Sequence, residues 1–216
     1  MSVTYTVLMG DLVASESNRS VDQLHADFNE AVQHANVRFE KSIVSPLTIT
    51  LGDEFQGLLS SLQAGAAVMR DLRLELLSRS IDCRFALGTA ELRTPVNPSN
   101  AWNMMGPGLA RTRERLNDKG EARYRFALSK KPDIEILLEG LGAGLAAIER
   151  SWTKQQLDDI KQSLAGVRPG EIAKLRNVSV HSVYKVRSSG EYDAYLIQWD
   201  ALIRGLKIVD EALGMK

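Results

Sequence analysis

The sequence predicts an α+β fold, a sheet with helices packed on it, followed by an all-helical region. Three observations carry that prediction. Strand-like and helix-like periodicities alternate as β-α-β-β-α-β-α-β up to Leu128. Beyond Ser129-Lys130-Lys131-Pro132 the pattern is almost wholly helical. Within that second part, residues 168–187 have the spacing of two short helices joined by a tight turn. The expected division is therefore residues 1–128 and residues 129–216, with a helix-turn-helix at about 168–188.

In chain order, Val3 to Met9 is a short apolar run suited to a buried central strand, and it ends on Gly10-Asp11. A small polar loop runs from Ala14 to Arg19. Ser20 with Gln23 forms a capping-box signal, opening a helix with Leu24, Phe28, Ala31, Val32, Ala35 and Phe39 on one face. A loop ahead of a helix start offers free N–H groups and a positive dipole end to phosphate, and Ser15 and Arg19 add side-chain donors. Pro46 introduces a hairpin over Thr48–Leu59 with Gly52-Asp53-Glu54 at its tip. A helix follows from about Leu62 to Leu77, then a strand over Ile81–Ala90. Pro95 and Pro98 make residues 93–100 a loop. Trp102 to Leu116 is helical in part, broken or restarted at Gly106-Pro107-Gly108, and Arg123–Leu128 alternates as an edge strand.

In the second part, Ile134 to Ile148 is a helical pattern carrying Gly140, Gly142 and Gly144. These glycines follow no strand, so they mark close packing or a turn between two helices rather than a phosphate loop. Thr153 is placed to cap the next helix. In the helix-turn-helix stretch, Pro169 suits a first turn and Ala173 permits a close crossing. Asn177 tolerates the left-handed turn, Val178 buries it, Ser179 caps the second helix, and Val183 and Val186 face inward. The last helix, Tyr192–Leu213, has a broad apolar face that covers this unit or pairs with a second copy. Trp102 and Trp199 are expected core anchors.

With 27 basic and 27 acidic residues among 216, net charge favours no polyanionic partner, so any such signal must be local. Cys83 is the single cysteine, which excludes an intrachain disulfide or a cysteine zinc site. The reading is a soluble cytoplasmic protein, with no signal-like N-terminus and no stretch of membrane-spanning length. The first strand and the hairpin each deliver a carboxylate at a strand end. If the two are neighbours, Asp11 and Asp53 converge with Glu54 close by, a set suited to Mg²⁺. Residues 150–190 carry eight basic and three acidic side chains, a local excess of five positive charges matched to a phosphate backbone. On the second helix, with Ser179 at its start, His181, Ser182 and Lys185 are candidates for base edges, and Tyr184 and Arg187 for phosphate. Readers of this kind usually act as dimers, so a homodimer is expected.

Gly10-Asp11-Leu12-Val13 and Gly52-Asp53-Glu54-Phe55, on this order of elements, resemble the ferredoxin-like palm domain of class III nucleotide cyclases and GGDEF diguanylate cyclases. The whole chain is similar to the SatD family through Met9–Ser15, Thr48–Leu58, Gly106-Pro107-Gly108 and the C-terminal helical region. The resemblance implies that Asp11 and Asp53 are Mg²⁺ ligands, that the Leu12 carbonyl joins them, and that Glu54 is the acid of the GGDEF hairpin. A nucleoside triphosphate or another nucleotide is the implied ligand. The chain departs from the cyclase pattern at Ala110 and Glu114, where an Asn and an Arg are expected, and Arg111 or Arg115 substitutes only if the helix is shifted in register. The expectation is a DNA-binding regulator whose first domain binds Mg-nucleotide. The alternative is an active Mg²⁺-dependent nucleotidyl transferase or cyclase, with the helical part as a targeting or dimerising module.

Overall fold

The structure is a computed structural model that describes residues 3–13, 20–50, 52–118, 120–128 and 131–215. Its first part comprises β1 (Thr4–Leu12), α1 (Val21–Arg38), β2 (Ile43–Ile49), β3 (Glu54–Leu59), α2 (Leu62–Ser78), β4 (Cys83–Glu91), α3 (Pro107–Asn117) and β5 (Tyr124–Ala127). Then come α4 (Pro132–Ser151), α5 (Lys154–Leu164), α6 (Pro169–Arg176), α7 (Val180–Ser189) and α8 (Tyr192–Leu213).

The five strands form one sheet in the order β2-β3-β1-β4-β5. β1 is central and antiparallel to both neighbours, β2 is antiparallel to β3, and β5 is parallel to β4. The crossover through α1 leaves room for β3 between β1 and β2, and the one through α2 leaves room for β1 between β3 and β4. That interleaving is the split βαβ, ferredoxin-like arrangement. The α+β class and the order of elements are as the sequence predicts.

Strand alternation assigns the two faces. Leu8, Phe55, Leu59, Phe85 and Leu87 point to one face and join a core with Phe28 and Val32 of α1 and Val68, Met69 and Leu72 of α2. Val7, Met9, Leu58, Ala86 and Ala90 point to the other, where Leu109 and Leu116 of α3 cover them. Gly10 lies under the Phe55 ring, which a Cβ at that position would approach to 2.5 Å. A run of rings from Phe28 through Phe55, Phe85 and Tyr124 to Trp199 continues across the first face, with centroids 5.8–6.2 Å apart.

That run crosses the expected boundary at 128/129. Leu138, Leu145 and Ala146 of α4 and Tyr195, Trp199, Leu202 and Leu206 of α8 belong to the same core as α1 and α2. Residues 129–216 therefore do not fold around one core of their own. β5 extends the sheet past α2, which packs on β4; α4 covers β5, and α8 packs against α4 and α2. A small separate cluster, Ile172, Ala173 and Val183, holds only α6 and α7 together.

Local expectations resolve in the same way. α4 runs unbroken through its glycines; a Cβ on Gly142 would lie 2.7 Å from that of Tyr124 and one on Gly144 would meet the Gln198 side chain, so these two serve close packing, while Gly140 faces open space. α3 starts only at Pro107, with Gly106 as its cap. Ser20 caps α1 through the Gln23 N–H, but the Gln23 side chain turns to Asp27, leaving half a capping box. Thr153 and Gln156 form a full one. Trp199 is 1% exposed, whereas Trp102 is 46% exposed and is not a core anchor. Val178 is 38% exposed, so the turn is closed by backbone bonds rather than by burying that side chain. Among the described residues no helix is long and apolar enough to cross a membrane.

Candidate functional site

The face covered by α3 is apolar along most of its length and charged at one end. The alternation that sends Val7 and Met9 to this face sends Asp11 there too, together with Glu54 and Gln56 of β3 and Arg84 of β4. The register sets Asp11 directly opposite Glu54 on one side and Arg84 on the other. Like charges facing each other across an antiparallel pair repel. Two guanidinium groups offset that repulsion. Arg84 forks onto Asp11, Nε to Oδ1 at 3.0 Å and Nη2 to Oδ2 at 2.8 Å. Arg113 descends from α3 to donate to Glu54 Oε2 at 2.6 Å and to Gln56 Oε1 at 3.0 Å. The Arg84 guanidinium is raised above its ordinary pKa, first by the hydrogen bond to Asp11 and also by that carboxylate's charge, against partial burial. The Asp11 residue is only 5% exposed.

The structure thus places β1 beside the hairpin, but makes Glu54 the residue that faces Asp11. Asp53 sits one step earlier, exposed in the turn, where its carbonyl accepts the Leu12 N–H at 2.9 Å. Asp11 and Glu54 are suitable oxygen donors for a hard divalent cation, and their oxygens are engaged by Arg84 and Arg113. Among the described residues no three His, Cys, Asp or Glu side chains cluster as a metal site. Ser15 and Arg19 lie outside the described residues.

The two arginines proposed from the sequence are held elsewhere. Arg111 pairs with Glu135 of α4 at 2.6 Å, and Arg115 pairs with Glu139 while donating to the Phe126 carbonyl at 3.3 Å. Arg113, which the cyclase-type spacing from the glycine-rich turn does not single out, is the one that reaches the sheet end. Its helical phase was the available signal. Leu109, Thr112, Arg113 and Leu116 share one face, and Thr112 and Leu116 are fully buried.

In the helical unit, α6 ends on Asn177 in the left-handed conformation, φ 52° and ψ 48°. The Val178 N–H closes the turn on the Ala173 carbonyl at 3.0 Å, and the Ser179 hydroxyl accepts the Ser182 N–H at 3.1 Å to start α7. His181, Tyr184 and Lys185 are exposed and Ser182 is half-buried. Arg187 instead lies over the Tyr192 ring, 4.0 Å from its centroid. Part of the basic excess is likewise committed, inside the unit or to α2. Arg176 pairs with the buried Asp159 at 2.5 Å, and Lys161 donates to the Ser78 hydroxyl at 2.8 Å.

A buried network ties this unit to the sheet. Glu149 of α4 accepts from Arg73 Nε of α2 at 2.9 Å, from the Tyr124 hydroxyl at 2.6 Å and from the Tyr195 hydroxyl at 3.1 Å. Burial, and after it the Glu149 charge, pushes both tyrosines well above their ordinary pKa. Arg73 also binds Asp82, which accepts from Arg123 Nε at 2.8 Å. Burial raises the Asp82 pKa, but the two guanidinium groups outweigh it and hold the carboxyl below its ordinary value. Asp82 lies two residues before Arg84, and its carbonyl accepts the Val13 N–H at 3.0 Å. A cleft of about 390 Å³ opens beside this network, lined among others by Ser78, Asp82, Trp152 and Lys154.

Fold and site together define an α+β protein with split βαβ topology and a mixed carboxylate–guanidinium cluster at one sheet end. The chain belongs to the SatD family, whose model matches residues 5–189. A search of curated proteins found no match. Among solved structures, it is similar to the guanylyl cyclase domain of the RhoGC fusion protein from the aquatic fungus Blastocladiella emersonii, a monomeric double mutant. That match has 16% identity over 54% of this chain and 75% of that one, with a TM-score of 0.41. It is also similar to the guanylate cyclase domain of RhGC from Catenaria anguillulae in complex with GTP, with 17% identity over 57% and 77% of the two chains and a TM-score of 0.40.

Proposed function

We propose that this protein is a DNA-binding regulator that binds a Mg-nucleotide at the charged end of its sheet. The observation that carries the reading is the in-register row Glu54–Asp11–Arg84 with Arg113 above it. Carboxylates suit a divalent cation and guanidinium forks suit phosphate, and this end of the sheet holds both within one layer of side chains. Asp11 and Glu54 would hold Mg²⁺, with Asp53 and the Leu12 carbonyl at the adjoining turn. The ion would supply charge neutralisation for phosphate oxygens.

The α6–turn–α7 unit supports the DNA half of the reading. Its turn has tight backbone closure, and α7 presents His181, Tyr184 and Lys185 to solvent, with the exposed cap Ser179 and the half-buried Ser182 at its start. Arg187 is assigned a supporting role, because its stacking on Tyr192 braces α7 against α8. A homodimer is part of the proposal, since two copies would present two such units.

Fluorescence anisotropy with a labelled random-sequence duplex tests this. Affinity is expected to fall steeply with salt, to drop in Lys185→Ala, and to change on adding Mg²⁺ with a nucleoside triphosphate. Asp11→Asn is expected to abolish the nucleotide response and leave DNA binding in place. Absence of salt-dependent DNA binding overturns the regulator reading. Mg²⁺-dependent consumption of the triphosphate without DNA binding would make the protein a nucleotidyl transferase or cyclase instead.

A further inference from the structure

Resting on the metal-nucleotide reading above, we infer that Arg84 and Arg113 are exchangeable counter-ions. They neutralise Asp11 and Glu54 in the free protein and transfer to phosphate when a cation arrives, so the site takes a metal–polyphosphate complex in preference to either component alone. Both Asp11 oxygens are engaged by Arg84, and Arg113 holds one oxygen of Glu54. A hard divalent cation needs those same oxygens. A guanidinium cannot shed its charge to make way. With side chains 11% and 35% exposed, Arg84 and Arg113 can turn in part to water, and a phosphate restores the charged partner that water does not.

The charges decide the ligand class. A divalent cation alone would satisfy the two carboxylates and strand two guanidinium groups. A polyanion alone would draw the arginines away and leave two facing carboxylates unshielded. The row is neutral as it stands, two carboxylates against two guanidinium groups, so a bound divalent cation calls for an anion of at least two negative charges, and two separate guanidinium groups are met by two phosphate groups. The inferred ligand is therefore the metal complex of a di- or triphosphate, and not a nucleoside, a monophosphate or a free cation.

Isothermal titration calorimetry on the full chain tests this with MgCl₂ alone, with tripolyphosphate in EDTA, with the two combined, and with MgATP and MgGTP. In the wild type, each component is expected to strengthen binding of the other by about tenfold or more. The diagnostic variant is Arg84→Met. It should tighten Mg²⁺ alone, because Asp11 is released, while weakening Mg-tripolyphosphate by about tenfold or more. A purely structural arginine would not move the two affinities in opposite directions. Circular dichroism checks folding; if Arg84→Met does not fold, Arg113→Met at the more exposed pair carries the same test.

If the wild type binds Mg-triphosphate but the folded arginine variants move both affinities together or not at all, the counter-ion role is overturned and the metal-nucleotide site stands. If neither wild type nor variants bind Mg²⁺ with any of these phosphates, that reading itself fails. Phosphate binding that survives Asp11→Asn unchanged belongs to another surface and also counts against the inference.

Discussion

Glu149 and Asp11 are both buried carboxylates held by arginine, on opposite faces of the same sheet, and their surroundings differ in one respect. Glu149 has a fully buried side chain, and its partners, Arg73, Tyr124 and Tyr195, come from three different elements. Asp11 and Glu54 sit at a sheet end where Arg84 and Arg113 keep partial exposure. Removing one partner of a buried pair leaves a desolvated charge with nowhere to turn, whereas a rim pair can relax toward water or another ligand. The first cluster therefore serves the fold and the second is free to serve binding.

The comparison breaks most visibly at Glu149. Glu149→Ala leaves Arg73 buried beside an unfilled space and should cost about 3–5 kcal/mol in urea unfolding; a loss no larger than that of a surface variant would remove the distinction. High pH should act on the same cluster. Tyr124 and Tyr195 hold their protons more tightly folded than unfolded, so their contribution is complete below the ordinary tyrosine value of about 10 and is lost as pH rises past it. The urea midpoint should fall steeply above that value, and less steeply in Tyr195→Phe. Asp82 has the opposite sign, its contribution fading as pH falls through the ordinary carboxylate range.

On the rim, Asp11→Ala should cost roughly 1–3 kcal/mol, because Arg84 is left short of its acceptor but not sealed from solvent. At the helical turn, Asn177→Ala should lose about 1 kcal/mol to left-handed strain while Asn177→Gly stays near the wild type, and thermal melts of the pair separate conformation from side-chain loss. Arg113→Ala is expected to be the mildest, under about 1 kcal/mol. A loss comparable to that of Glu149→Ala would show that the α3 face depends on its ionic cluster as the opposite core does.

Part of this was legible one residue at a time. Strand alternation, Pro and Gly punctuation and the capping signals at Ser20, Thr153 and Ser179 give the element order, because each acts within a few residues. The left-handed turn at Asn177 and the carboxylates at two strand ends were visible for the same reason. Other features depend on partners far away in sequence. Asp210 of α8 caps the start of α2, its Oδ1 accepting the Leu62 N–H at 2.8 Å and its Oδ2 the Gln63 N–H at 3.1 Å, and no local pattern marks it as a cap. Gln56 and Thr48 hold the backbone of Ala101 in the same way.

By itself, then, the sequence determined the succession of strands and helices, the capped helix starts, the left-handed turn at Asn177 and the two acids at strand ends, all products of short-range sterics and periodicity. Tertiary structure alone decided that α4 and α8 complete the first core, that Glu54 rather than Asp53 faces Asp11, and that Arg84 and Arg113 are the cations beside them. Strand register and helix docking are chosen by the burial of whole faces at once. A single side chain's partner across the sheet is therefore fixed only when every face has found its cover.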